Sequence, residues 1–398
     1  MTTAISSLLL LCLSAIVSIP VATLLVEIAC AVLIRGKPSP SLRENRPRIA
    51  VIVPAHNEGK TLEPTLNDIN LQLHAGDRLL VVADNCTDDT AEVAIAAGAE
   101  VIVRDDRERI GKGYALDFGI GHLDAAPPEI VVIVDADCRL SSKFLDELAA
   151  CVLANKAPAQ ALYLISAPHG SFIDYQVAEF AVRIKNHLRP LGLAVLGLPC
   201  QLMGTGMAFP WDAIRAADLA SGHIVEDLKL GLDLASAGRP STFCPSARVT
   251  SEFPFSASGA ITQRERWERG HLGVICTTLP KLAGRAIAQF NWALFALVLD
   301  AAVPPLVLLA VLVVFVFAVT VLGAALGLSF AAFVLSFANV VAFGSAAVLA
   351  WYNSGRDLIP AKKFGLIFRF ACGKLSLYRR FLERDAVPTW IRTDRDKS

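Results

Sequence analysis

Two apolar blocks, one at each end of the chain, constrain its fold more than any other feature. Residues Ala4 to Ile34 carry a single charge, Glu27. About 20 apolar residues suffice to cross a bilayer, so this stretch can span with tilt. A secretory signal peptide is the competing reading, but it would have a basic start and a shorter apolar run. Met1 to Ser7 holds no basic residue, so an anchor is expected. The second block, Trp292 to Trp351, has one charge, Asp300. Its weakest point is Gly323 to Ser329, which predicts two helices, about 294–322 and 329–351.

Lysine and arginine excess marks the cytoplasmic side of a span. Arg35, Lys37, Arg43, Arg46 and Arg48 follow the first block. Arg356, Lys362, Lys363, Arg369, Lys374, Arg379 and Arg380 follow the second. Three spans then place the N-terminus outside and both the middle domain and the C-terminus inside, as in a multi-pass protein of a bacterial inner membrane. Residues 271–289 and 361–381 are further candidates for the membrane surface. In the latter, Phe364, Ile367, Phe368, Ala371, Leu375 and Tyr378 fall at helical spacing among basic residues. Such a helix suits an anionic leaflet, and packing on the middle domain is the equal alternative. Asp300 is either an acid within a span or, if Pro304-Pro305 breaks the helix, an acid at the interface. Glu27, near the basic end of its span, is expected at the interface.

Charged residues are only 19% of the chain, against about a quarter in soluble domains, and the deficit sits in the two end blocks. Net charge is zero, so nothing points to nucleic acid as a partner. The 9 cysteines are scattered without a C-x-x-C pair and read as reduced apolar residues, not a disulfide framework or zinc site.

Between Arg48 and Gly270 the pattern changes. Short β-branched runs at Ile49–Val53, Leu79–Ala83, Glu100–Val103 and Ile130–Val134 alternate with helical stretches at Thr61–Gln72, Asp89–Ala97 and Tyr114–His122. That alternation predicts an α/β fold with a mostly parallel sheet covered on both faces. The expected domain limits are an N-terminal anchor and linker (1–47), an α/β domain (48–270), an interfacial helix (271–290), two transmembrane helices (291–352) and a basic amphipathic tail (353–398).

Ligands of such sheets bind beyond the C-terminal strand ends. Three strands run into polar segments there: Pro54 to Gly59, Asp84 to Asp89, and Asp135-Ala136-Asp137. Asp-rich strand ends are often turns or helix caps, and Asp88 and Asp89 are expected to cap the next helix. Residues i and i+2 of a strand face the same way, so Asp135 and Asp137 could converge on a hard cation such as Mg²⁺ or Mn²⁺. Gly111-Lys112-Gly113 would let backbone approach a ligand with an ammonium beside a phosphate; it has neither P-loop nor dinucleotide-loop spacing. Gln263, Arg266 and Trp267 share one helix face by their i, i+3, i+4 spacing. Arginine can clamp a diphosphate, and tryptophan offers a flat surface to a sugar ring. A packed amphipathic helix is the blander reading of that pair alone.

The ordered set VIVPAHNEG (51–59), VVADNCTDDT (81–90), GKGYALDFG (111–119), DAD (135–137), GTGMAFP (204–210), VEDLKLGL (225–232) and QRERW (263–267) resembles the family-2 glycosyltransferases. That group includes cellulose, chitin-oligosaccharide and hyaluronan synthases, and the variants here look most like bacterial exopolysaccharide enzymes. The resemblance implies a GT-A fold and inverting transfer from a nucleotide sugar. Ala55, Asn57, Glu58 and Asp84 would hold the nucleoside of a UDP-sugar, and Lys112 would contact the diphosphate. Asp135 would lie near the ribose and the metal-bound phosphate, and Asp137 would ligate Mg²⁺ or Mn²⁺ directly. In Glu226-Asp227 the general base would be Asp227. Gln263, Arg266 and Trp267 would match the Q-x-x-R-W motif beside the diphosphate and the acceptor sugar.

Three spans are fewer than polymer-secreting synthases generally have. The expected acceptor is a saccharide or a lipid-linked saccharide. The expected partners are the lipid bilayer and a homo-oligomer or polysaccharide-synthesis complex. Two alternatives stand beside this reading. One is a polyprenyl-phosphate glycosyltransferase, whose relatives usually lack Q-x-x-R-W. The other is a non-catalytic membrane partner, against which the intact Asp135, Asp137, Asp227 and Trp267 count. Residues 167–199 carry no decisive motif.

Overall fold

The computed structural model describes residues 2–36, 40–42, 46–168, 173–254, 256–363 and 365. Lys37, Arg43 and nearly all of the expected amphipathic tail, from Phe364 through Tyr378, lie outside the described residues.

The strands are β1 (Ile49–Ala55), β2 (Arg78–Asp84), β3 (Glu100–Arg104), β4 (Ile130–Ile133), β5 (Arg139–Leu140), β6 (Ala159–Ser166), β7 (Met207–Pro210) and β8 (Thr242–Glu252). They form one sheet in the order β3-β2-β1-β4-β7-β6-β8-β5. The β3-β2-β1-β4 half is parallel throughout. Beyond it β7 runs antiparallel to both β4 and β6, while β6 and β8 are parallel. The sheet is therefore mixed, with its parallel half leading.

Period-two alternation explains the layering. Along β1, Ile49, Val51 and Val53 pack with Leu62, Leu66, Leu145 and Leu148 of the helices Gly59–Asn70 and Phe144–Asn155. Ala50 and Ile52 pack on the other face with Leu116 and Ile120 of the helix Lys112–Leu123. Both faces are dry, which is why the strands read as unbroken apolar runs. Strand order reverses between β1 and β4, so the crevice beyond their C-terminal ends is the switch point where ligands of such sheets bind.

Three helices are long and apolar enough to cross a membrane: Thr3–Leu33, Leu306–Ala325 and Phe330–Ser354. The single helix expected over 294–322 is two. A short apolar helix, Trp292–Ala301, ends before Pro304-Pro305, and the long helix begins at Leu306. Two consecutive prolines remove two backbone donors and clash with the preceding turn, so the helix cannot run through. The short helix packs Leu294, Leu297, Val298 and Ala301 against Leu228, Leu232 and Ala235 of the helix Glu226–Ser236. The stretch 271–289 completes the helix Ala257–Thr277 and forms a second, Leu279–Ala288, whose Leu279 and Ala286 join the same cluster.

Asp300 and Glu27 are both buried in protein, held by one residue of the stretch without motifs. Arg189 Nε donates to Glu27 Oε2 at 2.6 Å, and its Nη2 binds the Asp300 carboxylate. Gln201 Nε2 donates to Asp300 Oδ2 at 2.7 Å. Glu27 is thus a buried ion-pair partner rather than an acid facing the headgroups. Asp300 lies in the last turn of the short helix, next to the helix break at Val303 to Pro305. The helix Arg189–Val195 can approach the first membrane helix this closely because of Gly192, where a Cβ would lie 1.9 Å from the Glu27 carbonyl oxygen. Arg46 is also internal: its Nη1 donates to Asp146 at 2.9 Å and its Nη2 binds Asp77, so it contributes no juxtamembrane charge.

Candidate active site

At the end of β1, Ala55 is buried and Asn57 holds a left-handed backbone (φ 57°). Asn57 Oδ1 accepts the Thr87 backbone N–H at 2.7 Å, tying the first strand end to the second. Glu58 opens the helix Gly59–Asn70, and its Oε2 accepts from Thr61 Oγ1 at 2.7 Å. Asp88 accepts from the Gly59 and Thr90 backbone N–H groups, as a cap should; Asp89 occupies the cap position of the helix Thr90–Ala96 without a side-chain bond.

Asp84 ends β2 and is buried. Its register partner on β3 is Arg104, whose Nη1 donates to Asp84 Oδ1 at 2.6 Å. Burial raises the Asp84 pKa, and the Arg104 guanidinium opposes that rise. Arg104 also stacks over Tyr114, 5.6 Å from the ring centre, and donates to the Arg109 carbonyl at 2.7 Å. No local pattern marks Arg104, because a strand-end Asp and a strand-end Arg become partners only once register is known.

Asp135 and Asp137 do not sit on a strand. β4 stops at Ile133, and the segment turns, with the Cys138 N–H bonding to the Asp135 carbonyl at 3.3 Å. The shared orientation expected from strand geometry is replaced by a pinned turn. The single hydroxyl proton of Thr65 is shared between the carbonyls of Ala136 (2.8 Å from Oγ1) and Cys138 (2.7 Å), and Thr205 Oγ1 accepts the Asp135 N–H at 2.9 Å. Among the described residues no three His, Cys, Asp or Glu cluster as metal ligands. Two carboxylates two residues apart still fit Mg²⁺ or Mn²⁺, which take few protein oxygens and complete their shell with phosphate and water.

Lys112 begins its helix with its ammonium bonded to the Asp135 carboxylate and, at 2.7 Å, to the Gly204 carbonyl. Gly204 has φ 88°, and a Cβ there would lie 3.4 Å from Asp227 Oδ2 and 3.9 Å from Lys112 Nζ. Lys112 and Asp227 therefore flank the same glycine. Glu226 and Asp227 form the first turn of the helix Glu226–Ser236. Enclosure by protein pushes Glu226 up to about 8, and its neighbour Asp227 adds to the rise. Asp227 is raised by the same enclosure, opposed by Lys185 and Lys112. Enclosure alone would discharge Lys112, but Asp135, Glu226 and Asp227 outweigh it and raise its pKa.

One cavity of about 220 Å³ gathers Lys112, Asp135, Glu226, Asp227, Gln263, Arg266 and Trp267. The helix Ala257–Thr277 presents the last three on one face, as spacing predicts, with Gln263 Oε1 buried and unbonded. Ala55, Asn57, Glu58, Asp84 and Asp137 are not in that lining; they flank it at the ends of β1, β2 and β4. The cavity adds Lys185, in a π-helical segment (Ile184–Leu188). Such wide turns recur at functional sites, and only the structure places this lysine.

A family model described as glycosyltransferase like family 2 matches residues 47–270. An uncharacterized glycosyltransferase of Mycobacterium bovis is 40% identical over 102 residues, 26% of this chain and 42% of its own length. The 4,4'-diaponeurosporenoate glycosyltransferase of Staphylococcus haemolyticus is 27% identical over 245 residues, 58% of this chain and 62% of its own. The chain thus spans less than two thirds of either relative. A mannosyltransferase from Pyrobaculum calidifontis, solved with GDP-Man and Mn²⁺, has the same fold at 18% identity and a TM-score of 0.50, over 86% of this chain and 99% of its own. With its mixed GT-A sheet and a family match over the whole catalytic domain, the chain belongs to the family-2-like glycosyltransferases.

Proposed function

We propose that this protein transfers a sugar, with inversion, from a UDP-sugar to a saccharide or lipid-linked saccharide acceptor at the cytoplasmic face of a bacterial inner membrane. The work proposed for it is cell-surface polysaccharide synthesis, as in the exopolysaccharide enzymes whose motifs it resembles. One observation carries the reading: residues from five separate motifs line a single cavity beside the switch point of the sheet. The P. calidifontis enzyme, solved with a nucleotide sugar and Mn²⁺, supports a metal-assisted donor site in this fold. The domain limits expected from the sequence are retained as part of the proposal, with Trp292–Ala301 a packed interfacial helix before the last two spans.

In this reading Ala55, Asn57, Glu58 and Asp84 hold the nucleoside, and Lys112 holds the diphosphate. Asp137 and Asp135 would hold Mg²⁺ or Mn²⁺, which supplies positive charge against the departing diphosphate. Arg266 adds a fixed cation on the same side, and Trp267 with Gln263 shapes the acceptor subsite. The reaction is a single displacement at the anomeric carbon. The acceptor oxygen bonds to that carbon as its bond to the diphosphate oxygen breaks, and the bonding pair leaves with the nucleotide. The acceptor proton passes to Asp227, so an α-linked donor yields a β-linked product. General-base help of this kind is worth about 10²–10⁴-fold.

The test uses purified protein in nanodiscs, given UDP-glucose, UDP-GlcNAc, UDP-galactose, UDP-glucuronate and GDP-mannose in turn. Nucleotide release from one UDP donor that depends on Mn²⁺ or Mg²⁺ is expected. Silence with every donor, in the presence of lipid-linked acceptors, would transfer weight to a non-catalytic partner.

A further inference from the structure

The catalytic cavity does not end at Asp227. A second cavity, of about 160 Å³, shares Val182, Lys185, Trp267 and His271 with it. Its walls are otherwise largely apolar. Val177, Ala178 and Ala181 come from the helix Ile173–Arg183, and Leu24 comes from the first membrane helix. The far wall is Val303 to Val307, where Pro304-Pro305 interrupts the chain at the foot of the helix Leu306–Ala325. The two membrane helices meet the catalytic domain at this point: Leu24, Val303 and Leu309 pack with Ile184 and Leu188 of the π-helical segment. The second cavity therefore runs from Leu24 and the start of the helix at Leu306 to the residues it shares with the cavity that holds Asp227.

The junction holds Lys185 and His271, and Arg189, Arg264 and Glu268 are the other charged residues in the lining of the second cavity. Lys185 lines both cavities and forms no hydrogen bond or ion pair among the described residues. Its charge acts on Asp227 from beyond bonding distance. His271 is fixed, its Nε2 at 2.8 Å from the Ala301 carbonyl, and burial keeps it neutral by pushing its pKa down to about 3. A neutral, anchored histidine and a tryptophan ring make a rigid throat, leaving the lysine as an unengaged cation in it.

We propose that the acceptor is an amphiphile entering from the bilayer, its hydrocarbon chain seated in the Val177–Ala181 and Val303–Val307 cavity and its polar head held by Lys185 before Asp227. The inference rests on the transferase reading and narrows its acceptor to one with an apolar tail. A soluble sugar would leave this apolar extension of the site exposed to water, whereas a hydrocarbon chain seated there is stabilised by leaving water. The groove's continuity with the catalytic cavity and its position at the span termini single out this occupant over a water-borne acceptor. The chain's own residues beyond 365 are a rival occupant.

The experiment supplies a radiolabelled form of the active nucleotide sugar to membranes containing the full-length protein. Released nucleotide, organic-phase label and aqueous label are measured separately. Label is expected in the organic phase, and Ala178→Trp should lower the ratio of lipid-phase label to nucleotide release by at least about tenfold by filling the groove. A lipid carrying a diazirine on its acyl chain, in nanodiscs, guards against misfolding of that variant. Its adducts should map to Val177, Ala178 or Ala181 of the wild-type chain. Nucleotide release with label only in the aqueous phase would overturn the inference while sparing the transferase reading. So would adducts confined to the bilayer-facing helices, or adducts on Val177–Ala181 that appear only after residues 366–398 are removed. Absence of nucleotide release would overturn the transferase reading itself.

Discussion

The sheet edge at the ends of β1 to β3 and the cavity beside it are built from the same residue types to opposite effect. At the edge, polar side chains are engaged within the protein: Asp84 with Arg104, Asn57 with Thr87, Glu58 with Thr61. In the cavity, Glu226 and Asp227 stand side by side with raised pKa values, Lys185 has no bonded partner among the described residues, and Gln263 Oε1 is buried without one. Burial raises Asp84 at the edge as well, but its carboxylate is held by Arg104, whereas Glu226 and Asp227 have no ion-pair partner within bonding distance among the described residues and are poised to move protons. The edge is built to hold and the cavity is built to react.

Breaking the cavity should leave binding and remove chemistry. Asp227→Asn is expected to lower turnover by about 10²–10⁴-fold, the usual value of a positioned base, with UDP affinity by calorimetry unchanged. Breaking the edge should cost stability instead. Arg104→Leu strands the buried Asp84 carboxylate, which typically costs about 3–5 kcal/mol and would appear as a lower unfolding midpoint in detergent, relieved at low pH where Asp84 protonates.

The sign of the pH dependence sharpens the contrast. A base works only when deprotonated, and enclosure raises both Glu226 and Asp227. Activity is therefore lost as pH falls through those raised values, so the acid limb of kcat/KM should lie above the value of about 4 usual for carboxylates. The limb belongs to the pair, not to either acid alone. Because Lys185 lowers the Asp227 pKa, Lys185→Met should move the limb to higher pH; a limb that stays put would show that Asp227 is not the titrating group. The smallest effect is expected from Thr65→Val, which removes the hydroxyl that bridges two carbonyls of the Asp135–Cys138 turn. A stability loss of roughly 1 kcal/mol, with weaker Mn²⁺-dependent nucleotide binding, would be measured by thermal shift and titration.

Much of this was legible in the residues. The apolar strand runs and the helix periods between them announced the α/β sheet, and the i, i+3, i+4 spacing put Gln263, Arg266 and Trp267 on one face. The residues that escaped are those whose role depends on distant partners. Arg189 joins Glu27, 162 positions away, to Asp300, 111 positions away, and no local pattern marks such a bridge. Arg104 needs strand register, and Lys185 sits on a π-helical turn that helical spacing misplaces by one residue. The strand-like orientation expected of Asp135 and Asp137 fails because β4 ends at Ile133 and Thr65, on a different helix, holds the turn that follows through the Ala136 and Cys138 carbonyls.

The most direct test of the division between holding and reacting is a crossed measurement on two variants, Asp137→Ala and Asp227→Asn, with UDP binding and turnover read on the same preparations. Asp137→Ala should lose Mn²⁺-dependent UDP binding, and Asp227→Asn should bind UDP as the wild type does yet fail to turn over. Retained turnover in Asp227→Asn, or a loss of UDP affinity there equal to its loss of turnover, would contradict the account.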